Sequence, residues 1–187
     1  MNILKYNKIK LEYLYSLGLI IISVYFYYSV LQNANISITE KNQFIDIFDG
    51  PSYYQFSFEN LKIILSQHRT FGFPLFMKIY RFFDYNLYYW SFFSYVFYVF
   101  SIILFFNIGF KFKFNEKFLF LFSTGLILSK SFYPYIGQYT EFMSISLILI
   151  SFSFFLISIK KENFIYYSLF SLIFFFTYQV RPSMVMF

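Results

Sequence analysis

Asp46 and Asp49 lie three residues apart in IDIFDGPSYY, and the chain's single histidine, His68, follows with Arg69 in the same polar stretch. A carboxylate set between Phe48 and Tyr53 is partly desolvated, and such a group can take the proton of an attacking hydroxyl. Asp49 also has a structural reading, because an acid just before Pro51 caps the first N–H groups of a helix and suits its positive end. Asp46 reads either as a partner carboxylate or as a solvated loop residue. Two acids can hold a divalent cation, but this spacing is common, and the chain has no cysteine and no second histidine to complete a metal set. Arg69 presents a planar fork that can grip a phosphate at two points or rest on anionic headgroups. His68 reads as a surface residue. Farther on, Lys130 falls inside an apolar run, where a cation either faces a cavity or snorkels to the interface. Glu141 and Arg181 stand at the edges of two later runs, where each has a capping or anchoring role beside any role in binding.

The elements that must position these residues are unlike those of a water-soluble domain. The chain is 59% apolar, 29% aromatic and only 13% charged, which excludes a soluble monomer. Its net charge of +6 is dispersed in short clusters rather than gathered in a patch, so the charge sets topology and gives no nucleic-acid surface. Heavy use of Phe, Ile, Tyr, Asn and Lys is what an AT-rich, bacterial type of genome produces. The pattern predicts an all-α integral membrane protein with about five transmembrane helices and the start of a sixth. The spans are expected at 11–32, 87–110, 118–136, 141–159 and 164–180, with a further span opening at 182–187. A front piece of a longer protein is the expected reading of that last run.

Lysines cluster at the N-terminus, at 111–117 and at 160–161. If the spans alternate, all three clusters share one face, the cytoplasmic one by the positive-inside rule. The outer loop 33–86, the 135–140 turn and Arg181 then share the other face of an inner, plasma membrane. Within the loop, Pro51 suits the first position of a helix whose Tyr54, Phe58, Leu61 and Leu65 form one stripe. Pro74 opens a second, with Phe76, Ile79, Tyr80 and Phe83 apolar and Lys78 and Arg81 set to meet headgroups. Two interfacial helices with a hinge at 66–73 are expected, and Tyr88, Tyr89 and Trp90 should form an aromatic belt.

In order and spacing these landmarks resemble the polytopic glycosyltransferases of the GT-C class. The resemblance rests on Asp49-Gly-Pro-Ser-Tyr53-Tyr54, on Arg69-Thr-Phe-Gly72-Phe-Pro74-Leu75, on Tyr139-Thr140-Glu141 and on Val180-Arg181-Pro182-Ser183. It implies inverting transfer of a sugar from a polyprenyl-phosphate donor to a saccharide, lipid or protein acceptor, with Asp49 as general base and Asp46 as its alternative. It further implies that Arg69, Tyr53, Lys130, Glu141 and Arg181 contact the substrates. Many members of that class carry two adjacent acids in the loop, whereas here the acids are separated.

Two other classes compete. A surface-polysaccharide polymerase would keep its Arg and His machinery in a later outer loop. A transporter would show repeated halves and acids at mid-membrane, which these spans lack, and a purely structural subunit would not need so patterned a loop. Because the chain has no cysteine, topology is directly testable: Asp49→Cys and Asn115→Cys should react with an impermeant maleimide from opposite sides of sealed vesicles. Labelling from the same side would remove the shared outer face.

Overall fold

The computed structural model describes residues 3–33, 57–65, 71–84, 89–129 and 140–181. Every regular element among them is an α-helix: α1 (Ile3–Asn33), α2 (Leu61–Leu65), α3 (Gly72–Tyr80), α4 (Trp90–Lys111), α5 (Glu116–Ile127), α6 (Thr140–Lys161) and α7 (Phe164–Val180). In hydrocarbon there is no water to pair with the backbone, and a helix satisfies its own N–H and C=O groups. Three stretches, Leu11–Val30, Phe92–Lys111 and Phe142–Lys161, are long and apolar enough to cross a membrane. At 1.5 Å per residue, α7 is about 26 Å long and α5 only about 18 Å.

α6 is the central helix. Its apolar window is 61% buried against 22% for that of α1, and it packs on α4 along one side and on α7 along another. Close approach is possible because Ser144, Ser151 and Ser158 recur every seventh residue with Ser146 and Ser153 beside them, all buried. Small side chains let helix backbones meet, and in lipid this contact replaces the water exclusion that drives packing elsewhere. Their hydroxyls are not orphaned. Ser146, Ser153 and Ser158 donate to the carbonyls of Phe142, Leu149 and Phe155, while Ser151 reaches across to the carbonyl of Phe170 on α7 at 3.3 Å.

α1 lies along α4 and carries a ladder of polar contacts. Glu12 pairs with Lys111 at 3.7 Å, Ser16 donates to the Asn107 amide oxygen at 2.9 Å, and the Tyr95 hydroxyl donates to the Ser23 carbonyl at 2.9 Å. Leu19 between these rungs, and Tyr27 and Val30 beyond the last, join Tyr98, Ile102 and Phe106 in the main core. The ion pair is worth under about 1 kcal/mol, since Lys111 is 60% exposed. The ladder therefore sets register more than stability.

The described helix in the third expected span stops at Ile127, before the Pro134 and Gly137 expected to end it. Its last turn tightens, with the N–H of Ser129 donating to Leu126 at 3.3 Å. The carbonyl of Leu126 also receives the hydroxyl of Tyr98 at 2.9 Å, so a fully buried side chain of α4 binds a helix end inside the bundle. Lys130 lies outside the described residues.

Both lysine-bearing turns use a left-handed residue followed by an asparagine cap. Lys113 has φ 62° and Glu162 φ 48°. At the first, Phe114 N–H donates to Gly109 and Lys113 N–H to Phe110, each at 3.1 Å, the double bond of a Schellman ending. At the second, Glu162 N–H donates to Ser158 at 2.8 Å, the simpler single-bond ending. Asn115 then accepts from Phe118 N–H at 3.1 Å, and Asn163 from Ile165 N–H at 2.9 Å, so each opens the next helix. Lys113→Gly and Glu162→Gly should each raise the midpoint of thermal unfolding in detergent, by a free energy of about 0.5–1 kcal/mol. A lowered midpoint in both would contradict the left-handed turns.

Candidate functional site

At one end of the bundle the start of α4, the start of α6, the end of α7 and the whole of α3 meet in a second apolar cluster: Phe73, Met77, Trp90, Met143, Leu147 and Val180. α3 begins at Gly72, two residues ahead of the expected Pro74, which sits in the first turn where its missing N–H costs nothing. Gly72 is what brings it there. A Cβ at this position would stand 2.7 Å from the Gln179 carbonyl carbon and 2.8 Å from the Val180 nitrogen, so only glycine allows α3 to rest directly on the last turn of α7.

The buried face of α3 is Phe73, Pro74 and Met77, while Ile79 and Phe83, two of the four residues expected to form its apolar stripe, stand exposed. Trp90 departs from the expected aromatic belt in the same way. It is only 3% exposed, with its ring edge-on to Phe73 at 5.8 Å and to Tyr80 at 5.4 Å. Docking of α3 converts an interfacial residue into a core residue. Tyr89, its neighbour, remains half exposed, and Tyr88 lies outside the described residues.

The basic residues of α3 turn inward as well. Arg81 donates to the carbonyl of buried Ser57 at 2.9 Å and lies 3.4 Å over the ring of Phe58, and Lys78 donates to the carbonyl of Glu59. A guanidinium over an aromatic face is a favourable contact. The pair fastens 57–60 across α3. Along 57–65 the helical run is interrupted at Glu59 and Asn60, and Ile64 is buried while Phe58, Leu61 and Leu65 are exposed. After α3, the Asp84 carboxylate accepts from Tyr89 N–H at 2.8 Å, at the positive end of α4. Burial raises the pKa of the Tyr80 phenol above its ordinary value, and the nearby Asp84 and Tyr89 add to the shift.

Two of the residues singled out in the sequence stand at this end. Glu141 is in the first turn of α6. Arg181 follows α7 in extended conformation, half-buried, its N–H donating to the Thr177 carbonyl at 3.0 Å. Asp46, Asp49, Tyr53, His68, Arg69 and Lys130 lie outside the described residues. Among the described residues no group of three or more His, Asp or Glu is gathered.

Sequence reasoning missed Trp90 and Ser94 as a unit. They lie one helical turn apart on α4, each 3% exposed, and the indole N–H and the hydroxyl have no hydrogen-bond partner among the described residues. An unmet polar group in a core costs about 1–3 kcal/mol. Their i, i+4 spacing was the available signal. Comparison with known proteins finds no family model, no curated protein and no solved structure that matches the chain.

Trp90 is the only tryptophan, so its emission reports on this end alone. Gly72→Ala should push α3 off α7, move the emission to the red and make it quenchable by iodide. Gly125→Ala, at a glycine with open space around its Cβ position, should leave the spectrum unchanged. Equal behaviour of the two variants would contradict the close contact.

Proposed function

We propose that the chain is a membrane glycosyltransferase of GT-C type that transfers a sugar from a polyprenyl-phosphate donor to an acceptor hydroxyl at the extracytoplasmic face. The observation that carries the reading is the contact of Gly72 with Gln179 and Val180. It joins the Gly72-Phe-Pro74-Leu75 segment to the Val180-Arg181 segment, and the start of α6 with Glu141 belongs to the same end through Met143. Three of the four stretches on which the resemblance rests thus reach one end of one bundle.

In this proposal the membrane is crossed five times, with the N-terminus cytoplasmic. Asp49 takes the proton of the acceptor hydroxyl as its oxygen attacks the anomeric carbon, and Asp46 is the alternative base. The bond from that carbon to the phosphate oxygen breaks with inversion, and polyprenyl phosphate departs carrying the electron pair. The leaving phosphate needs cationic partners at headgroup depth, the role assigned to Arg69, Lys130 and Arg181. Tyr53 and Glu141 are assigned to hold the sugars.

Loss of labelled sugar from a polyprenyl-phosphate donor, measured in membranes that hold the acceptor, tests the chemistry. Asp49→Asn should lower turnover about 100-fold or more, the usual contribution of a positioned base, with little change in how much protein reaches the membrane. Full turnover in the Asp46→Asn, Asp49→Asn double variant would end the proposal.

A further inference from the structure

At the end of the bundle opposite α3, the turns 111–117 and 160–163 hold five lysines and two glutamates. They are far apart in the sequence, and the fold brings them together. The Lys160 ammonium lies 5.4 Å from the centre of the Phe112 ring, and the pair of Glu12 with Lys111 ties α1 to the same place. The three stretches long enough to cross a membrane therefore share a boundary here, at Leu11, Lys111 and Lys161. Cations at such a boundary stand at the depth of lipid headgroups.

Only part of this charge is used within the protein. Lys111 is held by Glu12 at 3.7 Å, and Lys161 donates to the Tyr166 hydroxyl at 3.1 Å while lying 4.9 Å over its ring. Lys113 and Lys117 have no such contact among the described residues, and both are exposed. Lys160 is exposed too, and its place over a ring leaves its N–H donors for an acceptor. Glu116 and Glu162 reduce the surplus without cancelling it. The rings of Phe114, Phe118 and Phe164 stand exposed among these lysines. A nucleic acid or an acidic protein would bind the ammoniums and leave those rings in water. A phospholipid takes both, the rings at the edge of its hydrocarbon and the ammoniums at its phosphate.

We infer that the surface formed by turns 111–117 and 160–163 binds anionic glycerophospholipid headgroups in the leaflet that meets this end, with Lys113, Lys117 and Lys160 as the contacts to phosphate. The sign of the surface selects among lipids. A zwitterionic headgroup carries its own cation beside the phosphate, whereas an anionic one brings a net negative charge that clustered lysines attract at the membrane surface. Each lysine acts as a point charge on a flexible stem, so the surface prefers a class of headgroup by charge and does not read its shape. The site is independent of the proposed sugar chemistry and would stand if that chemistry failed.

The full, unmodified chain in phosphatidylcholine nanodiscs, with a trace of lipid spin-labelled on its acyl chain, tests the inference. The motionally restricted part of the spectrum measures lipid held at the protein. Phosphatidylglycerol should associate about twofold or more better than phosphatidylcholine bearing the same label, and the excess should shrink as sodium chloride is raised. A Lys113→Gln, Lys117→Gln, Lys160→Gln triple variant, changed only at exposed positions, should bring the ratio to about one. Lys62→Gln, an exposed lysine on α2, should leave it unchanged. Equal association of the two lipids with the unmodified chain would overturn the inference. So would an excess that survives in the triple variant, or one abolished by millimolar inorganic phosphate at constant ionic strength, which would assign the lysines to a free anion.

Discussion

Helices in hydrocarbon gain almost nothing from hiding apolar surface, since the surrounding tails are equally apolar, and they must be held by close contact and by hydrogen bonds between them. That constraint explains where the small residues of this chain lie. The buried serines of α6 let it sit between α4 and α7. Gly109 leaves room for the Phe114 ring and for Leu119, which a Cβ would approach to 3.0–3.2 Å. Gly72 removes the last barrier between α3 and the backbone of α7. Elsewhere large aromatic side chains fill what remains, as where the Tyr98 and Phe142 rings meet edge to face at 4.8 Å.

Hydrogen bonds divide the same labour. Several hydroxyls, those of Ser146, Ser153 and Thr177 among them, turn back onto their own helix, which silences them. Others cross between helices, and these mark the joints: Ser16 and Tyr95 between α1 and α4, Tyr98 to the end of α5, Ser151 to α7. The Tyr98 contact has the widest consequence. It adds a second kind of partner to a carbonyl at the end of α5 that already accepts a backbone N–H, and so ties that end to α4.

The two ends of the bundle are built differently. The lysine-bearing end is made of short turns with local caps, each closed by its own backbone bonds and an asparagine. The opposite end is closed by tertiary contact: α3 lies over Trp90 and against α7, while Arg81 and Lys78 bind the preceding segment through its carbonyls. Such an end brings side chains from distant parts of the sequence together. The indole and hydroxyl of Trp90 and Ser94, without a hydrogen-bond partner among the described residues, lie within it.

The all-helical class and the apolar runs long enough to cross a membrane could be read from the sequence. Its apolar runs and lysine turns were legible because both depend on composition over a window, and the helical class follows from the lack of water around the backbone. The Gly72-Phe-Pro74 turn was legible as a motif, as were Glu141 and Arg181 as residues at helix ends. Tertiary contacts alone put Trp90 in the core, bring Lys78 and Arg81 onto the carbonyls of Glu59 and Ser57, and set Gly72 against Gln179. The physical reason is the same for each. A helix pattern states which residues are apolar or charged but not which of two apolar surroundings, lipid or protein, will receive them, and that choice is made by contacts between separate elements.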